Sequence, residues 1–390
     1  MQSLKKGAAF FITKYLIIAI WKIPSGKIRN ILTVTKRNDL ITKCIKVIVG
    51  YKKLSDEGGF TVKVQIKGMG HALPDRILTN RELENMVETD DKWIVERTGI
   101  RERRIADSNI STSDLAAEAA IMALERAGVN AEEVDLIIVA TASPDMILPA
   151  TACFVQQKIG AFNAAAFDVG AGCTGFIYAL TVAEKFLLDP DYKNVLVIGA
   201  ETLSRITDYT DRNTCILFGD GAGAAVLGRG NSENGLLATY LGADGSGAEH
   251  LYMPAGGSAQ PATLQTIKDR LHYIKMNGNE IFRFATRITI EISNKILEKA
   301  GMKYEDVDLF IPHQSNMRII KTAMRWMHMP EEKTLINVDR FGNMSSACLP
   351  VGISIAEKEG RISDGDNILM VAFGAGLTYG GALLSWGRDE

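Results

Sequence analysis

Two residues in the sequence that could do chemistry lie where apolar, strand-like runs end, and the first of them is a cysteine. Cys173 follows the run at residues 165–169, and an apolar pattern of helical period begins at Gly175. A thiol at a helix start lies near unpaired N–H groups and the positive end of the helix dipole, which favour thiolate over thiol. Cys173 is therefore a candidate nucleophile, although a free cysteine also commonly serves as a small buried hydrophobic residue.

Two later segments supply candidate partners for this thiol. His313 ends the strand-like run at residues 308–312, and Asn343 lies in a polar loop before another small-residue helix start. Taken singly, a loop histidine is typical of a surface position and a Gly-Asn pair is typical of a turn. Together with Cys173, they predict a nucleophile with two hydrogen-bonding partners.

The chain also resembles itself, and this repeat indicates how the three residues are brought together. Residues 127–138 resemble residues 300–311, and residues 194–198 resemble residues 367–371, both at an offset of 173 positions. Two matches at one offset predict two similar α/β halves, each containing a helix followed by a buried strand. A site is then expected between the halves, near the carboxyl ends of the strands.

Composition is typical of a globular protein without bound metal or nucleic acid. The 390 residues are 46% hydrophobic and 23% charged, and the formal net charge of −2 gives no reason to expect a nucleic-acid partner. The cysteines are scattered and lack the paired spacing of zinc or disulfide frameworks, which predicts a reducing, cytoplasmic location and no metal. They are Cys44, Cys153, Cys173, Cys215 and Cys348.

The segment before Val62 differs in charge from the rest of the chain. Positions 1–60 hold 12 Lys and Arg against 3 Asp and Glu, whereas the remainder holds 32 against 43. The apolar stretch at residues 8–21 is interrupted by Lys14 and is short for a transmembrane span, so we expect no stable membrane insertion. Residues 56–59 back-translate to a purine-rich, ribosome-binding-like stretch, and Val62 would suit a GTG start codon. We therefore expect residues 1–61 to be an upstream translation, followed by one half at 62–235 and another at 236–390.

From Val62 onward, short segments resemble the β-ketoacyl-acyl-carrier-protein synthase III family, which starts bacterial type II fatty acid synthesis. The resemblance implies the thiolase fold, a five-layered α-β-α-β-α arrangement of two duplicated halves. It also implies a homodimer, and it implies no cofactor, because coenzyme A thioesters are the substrates. In family order, the segments are residues 91–100, 172–176, 210–212, 218–227, 313–319, 342–347 and 373–376.

The resemblance assigns catalytic roles to residues of this sequence. It implies that Cys173 is the acylated nucleophile and that His313 and Asn343 stabilise the enolate formed by decarboxylation. It also implies an oxyanion hole made by the backbone amides of Cys173 and Ala375, where many relatives have glycine in place of this alanine. An amide donor tolerates that change, because the side chain does not donate the hydrogen bond.

Binding roles are carried over in the same way. Leu148 aligns with a position that lines the acyl pocket across the dimer, and a leucine there is expected to admit branched or longer starter groups. The residues implied in coenzyme A binding are Trp93, Arg97, Arg212 and Asn316. The residues implied in docking the acyl carrier protein are Gln314, Ser315, Asn316, Met317 and Arg318.

The function expected from this resemblance is a decarboxylative condensation. An acyl-CoA starter and malonyl-acyl carrier protein would give 3-oxoacyl-acyl carrier protein, CoA and CO₂. A related thiolase-fold acyltransferase of secondary metabolism is the first alternative. A catalytically silent partner subunit is the second, although such a subunit would be expected to have lost Cys173, His313 or Asn343.

Overall fold

The computed structural model describes residues 63–230 and 234–388, so the predictions made for residues 1–61 lie outside the described part of the chain. The strands are β1 Lys63–Ala72, β2 Ile77–Thr79, β3 Glu102–Arg104, β4 Leu136–Ala140, β5 Ala165–Val169, β6 Asn194–Thr202, β7 Asp220–Gly230, β8 Gly235–Ala243, β9 Leu251–Tyr252, β10 Lys275–Met276, β11 Leu309–Pro312, β12 Asn367–Gly374 and β13 Thr378–Ser385. The helices are α1 Asn80–Leu83, α2 Asp91–Thr98, α3 Thr112–Ala127, α4 Thr151–Ile159, α5 Gly175–Phe186, α6 Leu264–Lys268, α7 Gly278–Ala300, α8 Met317–Met327, α9 Val338–Phe341 and α10 Cys348–Lys358.

Two sheets form the framework, and the four strands of the second correspond in order to four of the five strands of the first. The first sheet runs β1-β7-β6-β4-β5 and the second runs β8-β13-β12-β11. In the first sheet, β4 and β6 are parallel and β7 is antiparallel to β6. In the second sheet, β11 and β12 are parallel and β13 is antiparallel to β12. Strands β4 and β11 are separated by the same offset as the sequence repeat, and so are β6 and β12. The duplication predicted from the sequence is therefore found in the fold.

Helices lie on both outer faces of the sheets and between them. Helices α5 and α10 pack between the two sheets, where Phe176, Ile177 and Ile353 belong to the central core. Helices α3 and α4 cover the other face of the first sheet, and α7 and α8 cover the other face of the second. The layers are thus α-β-α-β-α, as the resemblance implies.

The two central helices begin at equivalent tight turns, and these turns position the site. Gly172–Thr174 and Ser345–Ala347 are short 3₁₀ turns, again related by the repeat offset, that lead into α5 and α10. A Cβ on Gly175 would lie 2.9 Å from Cβ of Ala140, so a glycine is needed for α5 to start this close to β4. The carboxyl ends of the inner strands and the starts of the central helices therefore meet in one region.

Candidate active site

A cavity of about 710 Å³ contains the three residues predicted to carry the chemistry. Cys173, His313 and Asn343 all line it, although Cys173 comes from one half of the fold and the other two come from the second half. Trp93 is half-buried and Arg97 is exposed where the cavity reaches the surface. The cavity is also lined by Ser315, Asn316, Arg318, Phe373 and Gly374.

Cys173 is buried at the start of α5, with 8% of its surface exposed. Burial raises the pKa of its thiol to about 12, because the thiolate loses the stabilisation of water. The side chains of Ser345 and Asn343 lower this pKa and the carboxyl of Glu201 raises it. The sequence predicts that the helix start favours the thiolate, but burial outweighs that effect here. The free protein therefore holds a thiol, which must lose its proton when it reacts.

His313 is held as a neutral imidazole. Its backbone N–H donates to the Val371 carbonyl at 2.8 Å, and its ring packs edge-on to Phe373 with ring centroids 5.2 Å apart. Burial lowers the pKa of His313 to about 3. Its Nδ1 atom is buried and has no hydrogen-bond partner within the described part of the chain. A neutral imidazole carries one N–H donor and one acceptor nitrogen, so the ring can donate a single hydrogen bond to a substrate in the cavity.

Asn343 is fixed in orientation by the backbone that follows it. Its own backbone N–H donates to the Leu217 carbonyl at 2.8 Å, and its Oδ1 accepts from the Ser345 N–H at 2.8 Å. Because the Ser345 amide is a donor, the atom facing it must be the oxygen. The Nδ2 group is thereby left as the donor, and the side chain also interacts with the Cys173 thiol.

Two backbone segments are pressed together beside Cys173. A Cβ on Gly374 would lie 2.6 Å from the Cys173 backbone nitrogen, and a Cβ on Gly172 would lie 3.1 Å from the Ala375 nitrogen. Gly374 is therefore needed for this close approach. The amides of Cys173 and Ala375, which the family resemblance implies as an oxyanion hole, lie on these neighbouring segments.

Two arginines lie over the ring of Trp93, which lines the cavity. The guanidinium carbon of Arg212 lies 4.5 Å from the centroid of the Trp93 ring, and that of Arg97 lies 5.5 Å from it. The Asn316 side chain donates from Nδ2 to the Arg97 carbonyl at 3.0 Å, which joins the start of α8 to α2. The structure thus brings the four residues implied in coenzyme A binding together.

Gln314 has a structural position that corrects one prediction. Its side chain is fully buried. Nε2 donates to the carbonyls of Pro312 and Leu335 at 2.8 and 3.0 Å, and Oε1 accepts from the amides of Asn337 and Val338 at 3.0 and 3.2 Å. A side chain with no exposure and these four hydrogen bonds cannot contact a carrier protein, so that prediction was wrong for Gln314.

The remaining residues implied in carrier docking surround the mouth of the cavity. Ser315, Asn316 and Arg318 line it, and Met317 packs against Gly99 at the end of α2. Arg318 is exposed, and its guanidinium carbon lies 5.3 Å from the centroid of the Phe282 ring. Its positive charge is therefore displayed at the surface.

Leu148 lies away from the cavity formed by this chain. It is 84% exposed, and its neighbour Ile147 is 86% exposed. The role assigned to Leu148 concerns the pocket of a partner subunit, so it stays a prediction. Two exposed branched side chains in one loop form an apolar surface of the kind that protein interfaces cover.

Sequence reasoning missed a buried acid beside the site. Glu201 ends the apolar run of β6 and is fully buried. Its carboxylate accepts hydrogen bonds from the hydroxyls of Ser143 and Ser346 at 2.6 and 2.8 Å and from the Ala142 amide at 3.0 Å. The available signal was an acidic residue directly after a run of apolar strand residues, because a buried carboxylate requires a specific set of donors.

This duplicated arrangement of sheets around a central helix pair places the protein in the thiolase-fold class. Sequence models described as 3-oxoacyl-(acyl-carrier-protein) synthase III and its C-terminal part match residues 167–245 and 297–386. A β-ketoacyl-(acyl-carrier-protein) synthase III of Syntrophomonas wolfei is 68% identical over 84% of this chain and 99% of its own length. The chain therefore belongs to the 3-oxoacyl-(acyl-carrier-protein) synthase III family.

Solved structures agree with this assignment. The 3-oxoacyl-(acyl-carrier-protein) synthase III from Aquifex aeolicus is 45% identical, with a TM-score of 0.77 over 83% of this chain and 100% of that one. The priming β-ketosynthase from the R1128 polyketide biosynthetic pathway is 32% identical, also with a TM-score of 0.77, over 84% of this chain and 98% of that one.

Two further kinds of site are absent from the described residues. None of the helices in 63–230 and 234–388 has the length and apolar character needed to cross a membrane. In the same residues, no group of three or more His, Cys, Asp or Glu side chains is arranged to hold a metal ion.

Proposed function

We propose that this protein condenses an acyl-CoA starter with malonyl-acyl carrier protein, giving a 3-oxoacyl-acyl carrier protein, CoA and CO₂. The observation that carries the proposal is the cavity that has Cys173, His313 and Asn343 inside and Trp93 with Arg97 at its mouth. Membership in the synthase III family supports the same reaction. In each half-reaction, the residues of this site have a definite task.

In the first half-reaction, Cys173 takes the acyl group from coenzyme A. Its sulfur forms a bond to the thioester carbonyl carbon, the bond from that carbon to the CoA sulfur breaks, and the proton of the thiol ends on CoA. The negative charge that develops on the carbonyl oxygen is stabilised by the backbone N–H groups of Cys173 and Ala375. These amides are held beside each other by the close approach at Gly374.

In the second half-reaction, the malonyl thioester loses CO₂ and becomes an enolate. His313 and the Nδ2 group of Asn343 donate hydrogen bonds to the enolate oxygen. The neutral state of His313 suits this task, because it donates without bringing a proton acidic enough to quench the carbanion. The enolate carbon then bonds to the acyl carbon, and the sulfur of Cys173 leaves as a thiolate and regains a proton.

Binding of the two substrates is assigned to the mouth of the cavity. Trp93 with Arg97 and Arg212 provides stacking surface and positive charge for the adenine and phosphates of CoA. Asn316 lines the same cavity and donates to the Arg97 carbonyl, and we assign it to the pantetheine arm. Exposed Arg318 suits an acidic carrier protein, with Ser315 and Met317 beside it.

The finer features of the proposal concern assembly, location and starter choice. We assign the protein to a homodimer in the cytoplasm, with coenzyme A thioesters as substrates and with no cofactor. Leu148 is assigned to the acyl pocket of the partner subunit, where its size would admit branched starters. Comparing turnover of acetyl-CoA and isobutyryl-CoA tests this assignment, and strict acetyl preference would contradict it.

A related acyltransferase of secondary metabolism is a second candidate, because the chain is similar to a priming polyketide ketosynthase. The test is to supply acetyl-CoA with malonyl-acyl carrier protein and to identify the product by mass spectrometry. The proposal expects a 3-oxoacyl carrier product and release of CO₂. Acyl transfer to an acceptor without loss of CO₂ would favour the second candidate. A lack of any acyl transfer would favour a silent subunit.

A further inference from the structure

Arg103 is a fully buried cation with no part in the two half-reactions proposed for this site. It lies in the short strand β3, and none of its surface is exposed. Nη1 donates to Oδ1 of Asn80 at 2.9 Å and to the Leu78 carbonyl at 3.2 Å, and Nη2 donates to the Ile216 carbonyl at 2.7 Å. All three acceptors are neutral oxygens, and burying a charge among neutral groups is costly. A cation buried at this cost indicates that the backbone it binds is held in one arrangement.

The carbonyl bound by Nη2 belongs to the segment that fixes the backbone of Asn343. Phe218, in the middle of residues 216–219, forms an isolated parallel bridge with Asn343. The Asn343 N–H donates to the Leu217 carbonyl at 2.8 Å, and the Gly219 N–H donates to the Asn343 carbonyl at 3.0 Å. Both backbone groups of Asn343 are therefore bound by the segment that Arg103 holds at residue 216.

The first carbon of the Arg103 side chain packs against the same bridge. A Cβ on Gly219 or on Gly342 would lie 3.2 Å from Cβ of Arg103. Gly342 directly precedes Asn343, its φ is 65°, and a Cβ there would lie 2.7 Å from the Leu217 carbonyl oxygen. Glycine at these two positions permits the close approach. Arg103 therefore contacts both strands of the bridge, through its guanidinium and through the base of its side chain.

The guanidinium is anchored on its other side by groups outside the bridge. Asn80 is buried, and its Nδ2 donates to the Ile100 carbonyl at 2.9 Å and to Oδ1 of Asp91 at 2.8 Å. These two acceptors orient the amide, so its oxygen faces Arg103. One nitrogen of the guanidinium is thus fixed by Asn80, and the rigid fork carries the other nitrogen to Ile216.

We propose that Arg103 is a positioning residue for decarboxylation and condensation, because it holds residues 216–219 and, through them, the backbone of Asn343. The proposal rests on the proposed function, since it takes Asn343 as a donor to the enolate oxygen. Arg103 does not line the cavity, so it acts through Asn343 and not on the substrate. The nucleophile Cys173 and the oxyanion amides lie on other segments of the chain. Acylation of Cys173 should therefore not depend on Arg103.

The first test replaces Arg103 with lysine and measures the two half-reactions separately. Arg103→Lys keeps the charge, but an ammonium lacks the fork that binds Asn80 and Ile216 together. Release of CO₂ from malonyl-acyl carrier protein, counted per acetylated Cys173, is expected to fall about 10- to 100-fold, because misplacing a catalytic group by about 1 Å can cost about 100-fold. Acetylation of Cys173 by acetyl-CoA is expected to stay at the wild-type rate. Counting per acetylated Cys173 restricts the measurement to folded protein.

Arg104→Lys is the matched control, because it makes the same change at the next position of β3. The guanidinium of Arg104 donates to the Pro74 carbonyl at 3.1 Å and does not bind residues 216–219. This control is expected to match wild type in both half-reactions. Arg103→Gln is a second variant for the case that a lysine ammonium cannot be buried, since glutamine is neutral. It is expected to show the same selective loss of CO₂ release.

A second test asks whether Arg103 acts through Asn343. When Asn343 is already replaced by alanine, Arg103→Lys is expected to cause no further loss of CO₂ release, because the positioned group is gone. A residue that merely supported the fold would reduce the rate by the same factor in both backgrounds. That result would overturn the proposal.

The remaining outcomes separate the positioning role from the function on which it rests. If wild-type protein is acetylated and releases CO₂, and Arg103→Lys releases CO₂ at the wild-type rate per acetylated Cys173, the positioning role is wrong and the proposed function stands. Failure of both Arg103 variants to become acetylated would show that Arg103 serves the whole fold, and would also overturn the proposal. If wild-type Cys173 takes no acyl group, the proposed function itself fails.

Discussion

Replacing Gly374 with alanine is a sharp perturbation of the site, because the added atom meets backbone. The new Cβ would lie 2.6 Å from the Cys173 nitrogen and 3.0 Å from Cys173 Cβ. Neither neighbour is the end of a flexible side chain that could turn away. Either the end of β12 or the turn Gly172–Thr174 must therefore move. The turn contains the Cys173 amide, and β12 is followed directly by the Ala375 amide, and these are the two donors assigned to the oxyanion hole.

The magnitude follows from two separate costs. Overpacking of a close contact lowers the free energy of unfolding by about 1–3 kcal/mol. Displacing one oxyanion donor lowers the acylation rate by roughly 10²–10³-fold, or about 3–4 kcal/mol of transition-state stabilisation. We therefore expect Gly374→Ala to fold with a lower free energy of unfolding and to lose most of its acylation rate.

The assay is single-turnover acylation by acetyl-CoA, followed by intact mass, with urea unfolding in parallel. Gly170→Ala is the matched control, because a Cβ there meets nothing within 4 Å and the change lies just before the same turn. The control is expected to match wild type in both measurements. If Gly374→Ala acylates as fast as its control, the reasoning about the paired amides is refuted.

Three further predictions concern other parts of the site. His313→Ala and Asn343→Ala are expected to leave acylation of Cys173 in place. Each is expected to slow CO₂ release from malonyl-acyl carrier protein about 100-fold or more, because it removes an enolate donor. Equal loss of acylation and CO₂ release would contradict the division of roles. Trp93→Ala is expected to raise KM for acetyl-CoA about tenfold at nearly unchanged kcat, since stacking with two guanidinium groups contributes about 1–2 kcal/mol, and an unchanged KM would remove Trp93 from the CoA site. The pKa of His313 is about 3 in the folded protein against 6.5 for the ordinary group. As the pH falls, the unfolded chain therefore binds this proton first, and the free energy of unfolding falls by up to about 1.4 kcal/mol per pH unit below pH 6.5. In urea unfolding, His313→Gln is expected to lack this contribution. The same pH dependence in the variant and the wild type would refute the prediction.

The layered architecture could be predicted from the sequence, because the duplication repeats patterns formed by residues that are close together in the chain. The self-matches found in the sequence correspond to β4 with β11 and to β6 with β12. The first match spans a helix end, a turn and a strand, and the second spans a strand alone. Both patterns are set by residues close together in the chain. The predicted five-layered fold was confirmed. It could be predicted because layers of helices and strands pack in few ways.

Properties that depend on the tertiary environment were harder to predict. The position of Cys173 at a helix start is local and was correct, but its raised pKa comes from burial among both halves. Gln314 appears as a polar residue after a strand, and its burial depends on backbone groups of residues 335–338 that fold over it. Glu201 is likewise held in part by the hydroxyl and amide of Ser346 from the other half, so its burial beside the site cannot be seen from neighbouring residues.

The central claim is that Cys173 accepts the acyl group, and intact mass spectrometry tests it most directly. Wild-type protein incubated with acetyl-CoA alone is expected to gain the mass of one acetyl group, located by peptide mapping at Cys173. Cys173→Ser is expected to show no such gain, while Cys215→Ser, at another buried thiol, is expected to gain it as wild type does. An acetyl group found elsewhere, or no gain in the wild-type protein with any acyl-CoA, would contradict the account.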